Sequence, residues 1–289
     1  MIAKRLLSLL LVTLLLGCAG LATPPLQDTE ALPAGKALQF FYDSQGGKVE
    51  AYLIRPQGEG PFPLMVLLHG HSLVRAGATR VVPVAEQFSS ELCYASLSIS
   101  LPGYGMTRIE GSDADREIVS RAVLDGIAMV GKLDWVDETR VMVYGFSRGA
   151  VFAAALAPRV PDLRGMILNS GAYDINRLYR ETGSYWIRQA INPDGLSSLQ
   201  LFTILPEVSE WRAPTLILHG SEDQMIPPNQ ATLLRERLQS LGKTNRLVIF
   251  SGAGHRLPRD EVKEAVVSFL TEQVGSACGR SPSSLTPTN

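Results

Sequence analysis

Val141-Met142-Val143-Tyr144-Gly145-Phe146-Ser147-Arg148-Gly149-Ala150 is the stretch that decides how this chain folds. A short apolar run ends in Gly-Phe-Ser-Arg-Gly and opens directly into a run of small residues reaching Ala157. A buried strand over residues 140–144 must therefore reverse into a helix over residues 147–157. A serine at such a reversal has little space around it, so its flanking positions need glycine, and the strained turn lifts its hydroxyl clear of the sheet edge. The helix beginning there aims free backbone N–H groups and the positive end of its dipole at any oxyanion that develops nearby. Ser147 is thus the candidate nucleophile. The Gly-x-Ser-x-Gly pattern alone recurs by chance, so its placement between strand and helix carries the reading.

Outward from this turn the chain alternates. Strand-like runs are expected at 64–68, 94–99, 165–169, 215–218 and 246–250, and helical stretches at 79–92, 113–133 (capped by Ser112), 229–241 and 259–274. Continuous apolar strands suit burial on both faces, and their alternation with helices implies βαβ units and a mostly parallel sheet with helices on both sides. Residues 38–42 and 49–54 flank a turn-rich segment and read as a hairpin forming the antiparallel edge. One interval, 171–212, has no strand but holds Tyr173, Tyr179, Tyr185, Trp186, Phe202 and Trp211. Its size and position are those of a short lid insertion, the alternative being a pair of packing helices.

A serine hydroxyl needs a base within hydrogen-bond reach, and the chain offers four histidines. His69 and His219 each end an apolar strand before a glycine and suit a bracing role. His71 is close behind His69. His255 lies in Ser251-Gly252-Ala253-Gly254-His255-Arg256, a glycine-rich loop after the last strand that can carry an imidazole over the sheet edge. It is the expected base. The imidazole in turn requires a carboxylate to fix its tautomer. Asp223, in the segment from His219 to Pro227, is the expected acid, with Glu222 its neighbour and Asp174 the runner-up.

The order Ser147, Asp223, His255, each after a later strand, is that of α/β-hydrolases. The Val143–Gly149, Leu218–Pro227 and Gly252–His255 segments together resemble this superfamily, and within it the dienelactone-hydrolase and prolyl-oligopeptidase-like branch. The resemblance implies an α/β-hydrolase domain over 37–275 and acyl transfer through Ser147, His255 and Asp223. It also implies an oxyanion hole from the backbone of Arg148 and, with Gly70 and Ser72 as alternatives, His71 in the loop after the third strand. The loop Leu101-Pro102-Gly103-Tyr104-Gly105 resembles one that helps wall the family's active site. Tyr104, Tyr173 and Trp186 are the candidate substrate contacts, and the aromatics suggest an apolar or aromatic substrate. Arg148 either reaches an acidic substrate group or pairs with a carboxylate of the 113–133 helix, the second being favoured. A carboxylic ester is favoured over a peptide, since the large amino-terminal domain that prolyl-oligopeptidase relatives use to screen peptides is not seen. The rival from another class is a non-catalytic envelope binding protein of the same fold.

The composition, 45% hydrophobic and 19% charged, describes a chain that buries a sizeable core. A formal net charge of -1 gives no electrostatic footprint for nucleic acid, and no Lys/Arg cluster runs along any predicted helix. No Cys/His spacing resembles a metal site, and nothing calls for a cofactor. The partner expected is a small-molecule or peptide acyl substrate. At the amino end, Lys4 and Arg5 precede an apolar run over 6–16 too short to span a bilayer permanently. Leu15-Leu16-Gly17-Cys18 resembles a bacterial lipobox, which implies lipidation at Cys18, a signal peptide over 1–18 and a cell-envelope location on a membrane. The alternative is ordinary cleavage near Ala19 or Ala22. Residues 19–36 read as a tether and 276–289 as a flexible tail. Cys93 and Cys278 would remain, either paired in an oxidising compartment or with Cys93 a small buried hydrophobe.

Overall fold

A computed structural model describes residues 32–111, 115–160, 162–191 and 203–275. The alternation expected from the sequence becomes one eight-stranded sheet of order β1-β2-β4-β3-β5-β6-β7-β8. Its strands are β1 (Leu38–Ser44), β2 (Gly47–Ile54), β3 (Phe62–Leu68), β4 (Ala95–Ile99), β5 (Val136–Phe146), β6 (Gly165–Asn169), β7 (Thr215–Gly220) and β8 (Asn245–Phe250). β1 and β2 form the antiparallel hairpin, closed by Gln45 and Gly46 at φ 49° and 75°, and β2 joins β4 antiparallel. From β4 to β8 the pairing is parallel. This is the α/β-hydrolase architecture, and every residue of β3, β4, β6 and β7 is buried.

The two-residue period of the strands divides their side chains between two cores. Leu64, Val66, Leu68, Val143 and Ile217 pack with residues of α2 (Arg116–Val130), α3 (Arg148–Leu156) and α6 (Asn229–Ser240). Met65, Leu67, Met142, Tyr144 and Leu216 pack on the other face with α1 (Val82–Leu92) and α7 (Arg259–Val274). Two helices open the 171–212 interval, α4 (Ile175–Glu181) and α5 (Tyr185–Ile191), and a 3-10 turn at Leu205–Glu210 closes it.

Local chemistry moved several boundaries. The 113–133 helix begins at Arg116, where the Asp115 carboxylate accepts hydrogen bonds from Glu117 and Ile118 N–H. Ser112 lies outside the described residues. The 79–92 stretch splits into a 3-10 turn, Ala78–Arg80, and α1, which restarts with Pro83 in its first turn, where no N–H is required. Leu32 is buried in the core, so the domain begins inside the expected tether. Cys93 ends α1 in the left-handed conformation and is disulfide-bonded. The other two cysteines, Cys18 and Cys278, lie outside the described residues, as do Phe202, the 1–18 signal and the 276–289 tail.

Candidate active site

β5 delivers Ser147 on a turn with φ 54° and ψ -117°, a strained conformation for a residue with a side chain. The neighbours make it possible. A Cβ at Gly145 would lie 2.3 Å from the Gly149 carbonyl oxygen, and one at Gly149 would lie 2.1 Å from that of Leu68. Both positions therefore admit glycine alone, as the tightness of the turn requires. Ser147 N–H donates to the Asn169 carbonyl at 2.8 Å, tying the turn to the end of β6.

The loops after β7 and β8 bring the other two candidates to the same sheet edge. His255 Nδ1 is 2.7 Å from Asp223 Oδ2, and Nε2 is 3.0 Å from Ser147 Oγ. Burial alone would raise the Asp223 pKa. Hydrogen bonds from His219 and His255, the charge of His255 and the Ile226 N–H outweigh it and hold the carboxyl well below the usual carboxylate range. An ionised Asp223 accepts from His255 Nδ1–H, which leaves Nε2 as an acceptor facing the serine hydroxyl. The second oxygen is also engaged: Asp223 Oδ1 accepts from Met225 and Ile226 N–H at 2.9 and 3.0 Å. His219 Nε2 donates to the Ile226 carbonyl at 2.8 Å and lies 3.4 Å from Asp223 Oδ2, so it braces the carboxylate's loop. Glu222 is exposed, and Asp174 caps α4 through Arg177 N–H.

His69 also braces. Leu101 N–H donates to its Nε2 at 3.0 Å, so the proton is on Nδ1, which donates to the Gly70 carbonyl at 2.8 Å. Burial pushes its pKa down to about 4 and keeps it neutral. The ring thereby joins the loop after β3 to that after β4. As the first residue of α3, Arg148 has an N–H with no intrahelical acceptor. The backbone at Gly70 passes close enough to the turn that a Cβ there would be 3.1 Å from Ser147 Cβ, and His71 follows it.

The remaining candidates are placed differently from one another. Tyr104 is fully buried, its hydroxyl 2.6 Å from His71 Nδ1 and its ring beneath the guanidinium groups of Arg75 and Arg148 at 5.1 and 5.8 Å. Arg148 also stacks over Phe152 at 5.3 Å, while the α2 carboxylates Glu117 and Asp125 pair with Arg159 and Arg121. Asp113, one of the carboxylates of the 113–133 stretch expected to pair with Arg148, lies outside the described residues. Tyr173 is enclosed in the core with Trp211, so its ring offers a ligand no surface; its flanking backbone is pinned by Gln230. Trp186 is 68% exposed and stacks edge-on against Tyr185. The α4–α5 connection touches the acid loop, Thr182 Oγ1 donating to the Met225 carbonyl at 2.8 Å.

Two contributors escaped the sequence reading. Glu50 is buried at 4% exposure, with Oε2 accepting from Ser100 Oγ at 2.7 Å and Met106 N–H at 2.9 Å, which anchors both ends of the Tyr104 loop. A single acid within a strand gave no sequence signal for this role. Phe146, between Gly145 and Ser147, packs 5.2 Å from the His255 ring.

Comparison with known proteins places this geometry among relatives. A model described as "Prolyl oligopeptidase family" matches residues 117–277, and one described as "Esterase FrsA-like" matches 29–169. Esterase FrsA of Citrobacter koseri is 29% identical over 128 residues, 44% of this chain and 30% of the relative. The matched segment thus spans less than a third of that curated relative. The acylaminoacyl peptidase of Pyrococcus horikoshii superposes with a TM-score of 0.68 at 18% identity, covering 86% of this chain and 43% of that one. Acetyl xylan esterase 1 of Thermoanaerobacterium sp. superposes at 0.64 and 17%, covering 82% and 83%. At these identities the structural likeness shows the fold.

Proposed function

Because the chain belongs to the prolyl oligopeptidase family of serine hydrolases, we propose that it cleaves carboxylic esters through Ser147, His255 and Asp223. The unbroken line from Asp223 Oδ2 through His255 to Ser147 Oγ carries this reading. Ser147 Oγ attacks the acyl carbon while His255 Nε2 takes its proton, and the ionised Asp223 stabilises the resulting imidazolium. The carbonyl electrons collect on an oxyanion facing the Arg148 N–H and the His71 loop. Collapse of the tetrahedral adduct breaks the bond to the alcohol, which leaves with the proton from His255. Water, deprotonated by the same nitrogen, then attacks the acyl-enzyme and restores the serine. Likeness to esterase FrsA over the amino-terminal half supports an ester substrate. The exposed Trp186–Tyr185 pair is the proposed aromatic contact.

Fluorophosphonate labelling located by mass spectrometry tests the mechanism. Labelling of Ser147, lost in Ser147→Ala and sharply reduced in His255→Ala, is expected, with p-nitrophenyl esters turned over faster than N-acyl peptides. A folded wild type that takes no label would refute the reading, and faster peptide turnover would make it a peptidase. We further propose that Cys18 carries a lipid anchor. Membrane-bound wild type and soluble Cys18→Ala after fractionation support that; identical partition of both refutes it.

A further inference from the structure

Between α1 and α7, on the sheet face opposite α3, lies a cavity of about 370 Å³, within the size range of small-molecule sites. Its sides are apolar, formed by Val84, Phe88 and Leu92 of α1 and by Val262 and Val266 of α7. Its floor is the end of β5, Tyr144 and Phe146. Gly70 and Phe146 belong both to this lining and to the surroundings of the nucleophile. A Cβ on Gly70 would lie 3.0 Å from the Phe146 ring and 3.1 Å from Ser147 Cβ, and Phe146 packs against His255. The cavity therefore shares a wall with the strained turn.

Every charged residue lining it is a cation: Arg80, Arg256, Arg259 and Lys263. Lys263 pairs with Glu91, whereas among the described residues the three arginines have no carboxylate partner. The chain as a whole has a formal net charge of -1, so this concentration does not follow from general basicity. Arg259 also opens α7, where a cation opposes the helix dipole. Asp260 and Glu261 answer that dipole without lining the cavity. Both helices follow parallel strands and start at the sheet edge that carries Ser147, with Arg80 just before α1 and Arg256 just after His255. The arginines thus sit at the mouth near the serine, and the apolar walls run away from it.

We infer that this cavity binds the apolar chain of an amphiphile whose anionic head, a carboxylate or phosphate, is held by Arg80, Arg256 and Arg259. The extension that such amphiphiles are the ester substrates rests on the function proposed above; the binding itself does not. Calorimetric titration of Ser147→Ala with decanoate and decyl phosphate, against decanol and decyltrimethylammonium, tests it. Binding of either anion at least tenfold tighter than the neutral and cationic probes is expected, weakened at least tenfold in Arg80→Glu/Arg259→Glu. The anion that binds names the head. Val84→Trp, which fills the cavity, is expected to abolish binding. Equal affinity for decanol, unchanged binding in both variants, or no binding of either anion would overturn the inference. Since Ser147→Ala is used, a wild type that binds decanoate but cleaves no ester would refute the proposed activity alone. One that cleaves short neutral esters but binds neither anion would refute this inference alone.

Discussion

His69 offers a direct test of how the site is braced. Burial lowers its pKa from the ordinary 6.5 to about 4, so as pH falls the unfolded chain takes up this proton before the folded one. Stability contributed by the neutral ring is complete above the unfolded value and is lost as pH falls from 6.5 towards 4. For these two values the loss between pH 7.5 and 4.5 is about 2.5 kcal/mol. Glutamine at this position can accept from Leu101 N–H and donate to the Gly70 carbonyl without titrating, so His69→Gln removes this contribution and leaves those of other groups. Urea unfolding followed by tryptophan fluorescence at the two pH values should show the wild type losing about 2.5 kcal/mol more than the variant. Equal losses in the two proteins would refute the argument that burial holds this imidazole neutral.

Three further outcomes follow from the same contacts. Asp223→Asn keeps an oxygen for the Met225 and Ile226 N–H groups but turns an NH₂ towards His255 Nδ1, so kcat on an ester should fall roughly 10⁴-fold while the thermal midpoint changes little; a fall below tenfold would exclude Asp223 as the orienting acid. Gly149→Ala forces a Cβ against the Leu68 carbonyl at 2.1 Å and should cost about 3 kcal/mol or more, read as a lowered midpoint in differential scanning calorimetry. Glu50→Gln presents an amide donor where Oε2 or Oε1 now accepts, and should cost about 1–3 kcal/mol and raise KM for esters through the loosened Tyr104 loop; unchanged stability and KM would show that the loop holds itself.

The sheet was legible because its strands are continuous apolar runs and its helices are long enough to alternate with them. Glycine at 145 and 149 announced the turn at Ser147, since nothing else fits between β5, α3 and the Leu68 carbonyl. His255 and Asp223 could be chosen because each follows a strand in a loop of distinctive residues. What was hidden is what depends on contacts across the sequence. Tyr173 and Trp186 look alike in the chain, yet one completes the core from the loop between β6 and α4 while the other, on α5, faces solvent. Glu50 lies 50 residues from the serine it hydrogen-bonds, and a lone acid in a strand gives no sign of that. The cap of α2 moved from Ser112 to Asp115 because two adequate capping residues stood close together, and only backbone geometry chooses between them.

The Ser147–His255 contact spans 108 positions, and the imidazole arrives on the loop after β8, which pairs with β7 alone at the margin of the sheet. Under the proposed mechanism, the serine is therefore made during synthesis long before its base. A nascent or truncated chain ending short of β8 would then hold an inert alcohol, and reactivity of Ser147 would report whether the last strand has docked.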